Sequence, residues 1–195
     1  IISIHQPSYL PWIPFIEKAL KSDVFVFLDD VQFEKNSEQN RNRIKASSGP
    51  IWLTIPVKRK LNTLINEVVI ADNQSKWIKK HINSITQNYS KTPYFEQVTK
   101  TLFDIIKKNR ENFLSLNLEI DKYFFSLAKF DGDVVLSSDL NLKCKNSDRI
   151  LSICKELEAK TYMSGIGGKD YLNLDKFRKS NIDVQFQNFS HFEYS

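Results

Sequence analysis

The run Val24-Phe25-Val26-Phe27-Leu28, followed at once by Asp29-Asp30, is the sequence feature that most constrains the fold. Apart from Leu28, these apolar residues are β-branched or aromatic, which favours a strand buried on both faces in a parallel sheet. Residues 1–5 predict a second such strand ending near His5, because Pro7 cannot donate to a sheet ladder. Between the two strands, Ile13, Ile16 and Leu20 recur at helical spacing. The chain is therefore expected to open as a right-handed βαβ unit.

The rest of the chain extends this pattern into an α/β fold. Further short strands are predicted at 51–55, 67–70, 134–136, 161–163 and 184–186. Residues 36–45 are too polar for a core element and predict a loop. Residues 75–130 have the 3.6-residue period of packed helices. We therefore predict a single domain over residues 1–195, with a Rossmann-like, open and mostly parallel sheet and the helical segment 75–130 inserted between strands.

Composition bounds the class of protein. The chain has 195 residues, of which 41% are hydrophobic and 26% charged, as in ordinary globular proteins. It contains no apolar run of the roughly 20 residues that a membrane span needs, and no basic-then-apolar leader. Cys144 and Cys154 lack metal-site spacing and fit a reducing, cytoplasmic setting. The formal net charge of +5 permits phosphate-bearing ligands without selecting among them.

Four predicted strands end in polar or glycine-rich residues. The ends are His5-Gln6, Asp29-Asp30, Ser137-Ser138-Asp139, and Ser164-Gly165 with Gly167-Gly168. Because the carboxyl ends of parallel strands lie at one edge of a sheet, where ligands bind in open α/β folds, these residues predict a site. The simpler alternative is that each is a turn or a capping residue.

His5 is the candidate general base, because an unperturbed histidine titrates near neutral pH. Asp29 or Asp30 could orient His5, act as a base or bind a cation, but adjacent residues of an extended chain point in opposite directions, so at most one is expected to face the site. The glycine-rich segment could place backbone amides against a phosphate or an oxyanion. A simple turn is the alternative for that segment.

Substrate contacts are predicted at further positions. Arginine offers a two-pronged contact to phosphate, so Arg41 and Arg43 are the natural anion contacts, together with Lys35 and Lys58. A solvated basic loop is the alternative interpretation. The remaining candidate substrate-binding residues are Gln6, Tyr9, Gln32, Asn40, Ser137, Ser138, Asp139, Ser164, Gly165, Gly167 and Gly168.

Several blocks of the chain resemble one known family. They are His5-Gln6-Pro7, Tyr9-Leu10-Pro11-Trp12, 27–33, 39–45, 52–57, Ser137-Ser138-Asp139-Leu140, Tyr162-Met163-Ser164-Gly165, Tyr171-Leu172 and 182–189. Together they make the whole chain resemble the WbqC-like protein family, whose members occur in bacterial O-antigen and other surface-polysaccharide gene clusters. The resemblance implies a transferase that attaches an acyl or aminoacyl group to a nucleotide-linked amino sugar. The partners that it implies are this nucleotide-linked sugar and an activated acyl or aminoacyl donor. Nucleic acid is not expected as a partner, except as an aminoacyl-tRNA donor.

The sequence also fits two alternative functions. A nucleotidyltransferase-like enzyme would use Mg²⁺ at Asp29 or Asp139; Mg²⁺ is the one cofactor suggested, and no metal-ligand set is predicted. A non-catalytic module would bind sugar or RNA through the basic residues and would show salt-sensitive binding without turnover.

Overall fold

The computed structural model describes residues 1–71, 76–109 and 111–191, which pack as two compact units. Unit 1 consists of Ile1–Gln6, Trp12–Leu28 and Phe125–Ser195, and unit 2 consists of Pro7–Pro11 and Asp29–Phe124. That the whole chain is a single domain stays a prediction. The expected start of the helical segment at Ser75 lies outside the described residues.

Helices and strands alternate along unit 1, whereas in unit 2 the strands come first in the chain and the helices follow. In chain order they are β1 (Ile2–His5), α1 (Ile13–Leu20), β2 (Val24–Phe27), β3 (Arg41–Ala46), β4 (Gly49–Thr54), β5 (Val57–Lys58), β6 (Val69–Ile70), α2 (Lys76–Tyr89), α3 (Phe95–Lys108), α4 (Phe113–Leu127), β7 (Asp133–Leu136), α5 (Asn146–Glu156), β8 (Thr161–Ser164), α6 (Leu174–Lys179) and β9 (Asp183–Phe186). No helix in the described part of the chain is both long enough and apolar enough to cross a membrane.

Unit 1 is built on a five-stranded sheet in the order β7-β2-β1-β8-β9, and every neighbouring pair is parallel. Phe25, Val26 and Phe27 of β2 have no exposed surface, as expected for a strand covered on both faces. The helices α2 to α4 fall between β2 and β7 in the chain. The predicted Rossmann-like α/β fold with a helical insertion is confirmed.

The strand order reverses between β1 and β8. The chain runs from β1 outward through β2 to β7, and then returns to the other side of β1 to add β8 and β9. In open α/β sheets this reversal leaves a crevice at the carboxyl ends of the two central strands, where ligands bind. Here those strands end at His5 and Ser164.

The apolar face predicted for the first helix is wrong. α1 begins at Ile13, with Pro14 in its first turn, but Ile13 and Leu20 are exposed. The buried face carries Phe15, Lys18 and Ala19 instead. Phe15 decides the orientation, because its ring packs on the rings of Phe25 and Phe125 at centroid distances of 5.3 and 5.7 Å.

In unit 2, the predicted polar loop is partly a strand. Arg41–Ala46 forms β3, which pairs antiparallel with β4 and places Arg43 opposite Trp52. A two-stranded hairpin needs only one apolar face, so Arg41, Arg43 and Lys45 can share the other face, where Arg43 and Lys45 are exposed. Strand formation at Asn40-Arg41-Asn42-Arg43 was therefore missed because the composition is polar, although the residues alternate.

The core of unit 2 contains the helical stripes predicted from the sequence. Ile78 and Ile85 of α2 are buried, and Leu102 and Ile106 of α3 pack into the same cluster. Tyr9 is fully buried there, and its hydroxyl is hydrogen bonded to His81 Nδ1 at 2.7 Å. Burial lowers the pKa of His81 to about 4, so this imidazole is neutral near pH 7 and can accept a hydrogen bond from the Tyr9 hydroxyl.

Candidate functional site

A pocket of about 380 Å³ opens in unit 1 at the point where the strand order reverses. It lies among the residues that follow β1, β8 and β9 and the first turns of α1. Its described lining is His5, Trp12, Pro14, Phe15, Lys18, Gly165, Ile166, Gly167, Gln187, Asn188, Phe189 and His191, none of which is acidic. The position is the one that the fold class favours for a ligand.

His5 ends β1 and lines the pocket as a neutral imidazole. Its Nδ1 donates to the carbonyl of Gln6 at 2.9 Å, which leaves Nε2 with the lone pair, and its ring meets the Phe15 ring edge-on at 4.9 Å. Burial, with a smaller contribution from the Lys18 charge, lowers the pKa of His5 to about 3. His5 is therefore a weaker base than a histidine with an unperturbed pKa, on which its prediction as the general base rested.

Lys18 is another ionisable group of the pocket, and it was not predicted from the sequence. Its side chain is 2% exposed, and its Nζ donates to the carbonyl of Ile4 at 3.1 Å. Burial lowers the pKa of Lys18 to about 7. Near neutral pH about half of the lysine is therefore an uncharged amine, which can accept a proton or act as a nucleophile.

The far wall of the pocket is held to α1 by Gln187. The backbone N–H of Gln187 donates to the carbonyl of Ser164 at 2.8 Å, continuing the ladder between β8 and β9. Its side-chain amide donates to the carbonyl of Pro14 at 2.8 Å and also contacts the Glu17 carboxylate. These bonds fix the segment after β9 against the helix that carries Lys18.

The glycine-rich segment contributes Gly165 and Gly167 to the pocket lining and buries Gly168. Ile166–Asp170 forms a short 3-10 helix, in which the N–H of Gly168 donates to the carbonyl of Gly165 at 3.0 Å. That N–H therefore already has a hydrogen-bond acceptor within the segment. A role for the segment in binding a phosphate or an oxyanion stays a prediction.

Gly168→Ala is expected to destabilise the chain by about 1–3 kcal/mol, the usual range for overpacking. A Cβ at Gly168 would lie 2.0 Å from Ser164 Oγ and 3.0 Å from Leu172 Cδ1, so the end of β8 or the segment before α6 would have to shift. Gly167→Ala is the matched control, since nothing lies within 4 Å of a Cβ there. Urea denaturation measures both free energies of unfolding; equal values for the two variants would contradict the packing described here.

The other predicted site residues of unit 1 do not line this pocket. Ser164 is buried, and its hydroxyl donates to the carbonyl of Gly165 at 3.0 Å. Ser137, Ser138 and Asp139 form a 3-10 turn after β7, with Ser137 fully buried and Asp139 exposed. Gln6 is half-buried beyond the end of β1.

In unit 2, the predicted anion contacts form two separate groups. The Arg41 and Arg43 guanidinium carbons lie 4.2 and 5.3 Å from the ring centroid of Trp52, which is 45% exposed. Lys35 and Lys58 line a cavity of about 550 Å³ together with Arg59 and Lys60.

The remaining candidates in unit 2 have structural contacts. Tyr9 belongs to the core described above. Asn40 is buried, and its side chain donates to the carbonyl of Ile55 at 3.1 Å and accepts the N–H of Asn36 at 3.0 Å. Asp29 is 1% exposed, and its carbonyl accepts the N–H of Asn66. Gln32 is exposed in an isolated bridge to Leu64, and Asp30 is half-buried.

The Mg²⁺ alternative required carboxylates at Asp29 or Asp139. These two residues belong to unit 2 and unit 1, respectively. Across residues 1–71, 76–109 and 111–191, no three His, Cys, Asp or Glu side chains are grouped so that they could hold a metal ion.

Sequence comparison matches residues 6–195, nearly the whole chain, to the WbqC-like protein family. An uncharacterised protein of Mycobacterium tuberculosis (strain ATCC 25618 / H37Rv) is 28% identical over 186 residues, which is 94% of this chain and 80% of that protein. No solved structure matches significantly. The resemblance noted in the His-Gln-Pro and Gln-Asn-Arg-Asn-Arg blocks is confirmed: the chain belongs to the WbqC-like protein family.

Proposed function

We propose that this protein is a transferase that attaches an acyl or aminoacyl group to the amine of a nucleotide-linked amino sugar, in the synthesis of a bacterial surface polysaccharide. The observation that carries the proposal is Lys18, a buried amine with a pKa of about 7 in a pocket at the reversal of the strand order. Membership of the WbqC-like family supports the sugar context through the gene clusters in which members occur.

The reaction needs a base with a pKa close to the working pH. As the acceptor nitrogen attacks the carbonyl carbon of the donor, an N–C bond forms and the nitrogen must lose a proton. The neutral Lys18 amine takes that proton. The bond between the carbonyl carbon and the oxygen or sulfur of the leaving group then breaks, and Lys18 returns the proton to that atom. Lys18 ends the cycle uncharged, ready for the next acceptor.

His5 acts in the proposal as a neutral partner of the acceptor. Its Nδ1 is held by the Gln6 carbonyl, so Nε2 can accept a hydrogen bond from the acceptor's N–H or O–H group. With a pKa of about 3, His5 stays uncharged at neutral pH and does not raise the cost of a positive charge on Lys18 during the reaction. Trp12, 51% exposed at the pocket, offers an apolar surface to a sugar ring.

The test begins with ligand screening of the full chain by thermal shift, using nucleotide-linked amino sugars, their hydroxyl analogues and free nucleotides. A ligand at about a hundred times its Kd adds roughly 2.7 kcal/mol of stability. Stabilising sugars are then incubated with acyl thioesters or aminoacyl esters and analysed by mass spectrometry. We expect an amide product from the amino sugar and no product from the hydroxyl analogue.

Binding of a sugar nucleotide without any amide product across the donor panel would contradict the proposal and favour a non-catalytic binding module. Full turnover in His5→Ala would remove His5 from the mechanism.

A further inference from the structure

Unit 2 contains an apolar cavity of about 320 Å³ that none of the functions considered above uses. It is open to solvent on one side and is lined by side chains of α2, α3, α4, β3 and the segment Leu10-Pro11. The lining that forms its walls is Ile44, Ile85, Phe95, Val98, Leu102 and Phe124. Its volume lies at the lower end of the range for ligand pockets, about 300–1,000 Å³.

The interior of this cavity offers little to a polar ligand. The two threonine hydroxyls in its lining are already used: Thr92 Oγ1 donates to the carbonyl of Tyr89 at 2.8 Å, and Thr99 Oγ1 donates to the carbonyl of Phe95 at 2.7 Å. The Tyr89 hydroxyl accepts the backbone N–H of Lys45 at 2.9 Å. The walls therefore match a hydrocarbon chain better than a nucleobase or a sugar, whose polar groups would lose their hydrogen bonds on burial.

Arg43 gives the cavity a positive edge. Among the described lining residues it alone is charged, and its side chain is exposed. In the described part of the chain no carboxylate forms an ion pair with it, and its guanidinium carbon lies 5.3 Å from the Trp52 ring centroid. Arg41 and Lys45 lie two residues away on the same face of β3. A guanidinium without an ionic partner beside an apolar cavity is complementary to an anion that carries a hydrocarbon tail.

The charge of the chain reinforces this complementarity. Unit 2 holds 16 of the 28 Lys and Arg residues but 11 of the 23 Asp and Glu residues, whereas unit 1 holds 12 of each. The formal net charge of +5 therefore belongs to unit 2. A net positive unit raises the local concentration of anionic ligands near this cavity.

We propose that the cavity binds an amphiphilic anion, with an alkyl chain inside the cavity and a phosphate or carboxylate head on the Arg43 guanidinium. The chain is held by burial of its methylene groups and the head by a charge-assisted hydrogen bond. This site does not depend on the acyl-transfer reaction proposed for unit 1, so either proposal can fail while the other stands.

The test is calorimetric titration of the full chain with decyl phosphate, decanoate and decanol, each below its aggregation concentration. Both anions are expected to bind at least tenfold more tightly than decanol. Comparison of hexyl, octyl and decyl phosphate should show affinity rising by up to about fourfold for each methylene that the cavity buries. The tighter of the two anions identifies the head group.

Two variants locate the binding site. Arg43→Gln is expected to weaken decyl phosphate binding by about tenfold or more and to leave decanol binding unchanged. Lys45→Gln, on the same face of β3 but outside the cavity lining, should change the affinity by less than about threefold. Val98→Trp fills the cavity and should abolish binding of all three ligands; exposed Val69→Trp is its control.

The proposal would be overturned by equal affinity for decanol and the anions, by an unchanged affinity in Arg43→Gln, or by no binding of either anion at millimolar concentration. A dimer in sedimentation that excludes the alkyl anions would assign the cavity to a second copy of the chain and would also overturn it. If Val98→Trp fails to fold, Arg43→Gln alone decides the question, because its side chain is exposed.

Discussion

Lys18→Met is expected to lower kcat of the proposed acyl transfer by about 10²–10⁴-fold, the usual contribution of a positioned general base. Methionine keeps a similar length and volume but cannot take a proton. The variant should fold, because an apolar side chain replaces an amine that is 2% exposed and costly to charge. The measurement is kcat by mass-spectrometric product formation, with circular dichroism as the check on folding.

Lys21→Met is the matched control. Lys21 directly follows α1, three positions after Lys18. Its side chain is 47% exposed and forms an ion pair with Glu17. Its replacement should change kcat by less than about threefold, since exposed ion pairs contribute little. If Lys18→Met retains full activity with the correct acceptor and donor, a different group is the base and the mechanism proposed for unit 1 is wrong.

The second large effect is on stability as a function of pH. The pKa of Lys18 is about 7 in the folded chain against 10.5 when unperturbed. Between these values the unfolded chain binds more protons than the folded chain, so the free energy of unfolding rises with pH. From pH 7 to pH 9 the rise from Lys18 should be about 2 kcal/mol. The destabilisation by charged, buried Lys18 is complete below pH 7.

The comparison of stabilities stops at pH 9, because above this pH the ionisation of another group lowers the free energy of unfolding. Burial raises the pKa of Cys154 from 9.0 to about 12, so above pH 9 the unfolded thiol ionises first and stability falls. Urea denaturation at pH 7, 8 and 9 gives the free energy of unfolding of the wild-type chain and of Lys18→Met. The difference between the two proteins should change by about 2 kcal/mol across the window. Parallel curves would show that Lys18 titrates normally in the folded state.

Much of the fold followed from local patterns. The strands around Val24–Phe27 and Ile2–His5 were predictable because continuous β-branched and aromatic runs suit a sheet covered on both faces. Pro7 and the glycines after Ser164 then indicated where β1 and β8 end. Because all four strands are parallel, the expectation that their carboxyl ends share one edge was sound.

The sequence alone could not show which residues lie together in the site. His5 and the Gly165–Gly167 segment line one pocket because β8 returns to the side of β1, and this strand order depends on long-range packing. Asp139 follows β7, at the far edge of the sheet, for the same reason.

Lys18 was missed because hydrophobic periodicity assigns lysine to the solvent side of a helix, and buried lysines are rare. The helix instead turns Phe15, Lys18 and Ala19 inward and leaves Ile13 and Leu20 exposed. Phe15 is the one signal that pointed to this face, since a phenylalanine three residues before a lysine places both on one side of a helix. The pKa values of His5 and Lys18 depend on burial, which the sequence does not display.

The most direct test of the proposed mechanism is the pKa of Lys18 in the folded chain, measured by following its side-chain Cε and Hε resonances from pH 5 to pH 11 by NMR. Lys18→Met identifies the resonance. The structure predicts a midpoint near 7 for Lys18, against 10.5 for an unperturbed lysine. A Lys18 midpoint near the unperturbed value would mean that the pocket holds a permanently charged lysine and would contradict its role as the base.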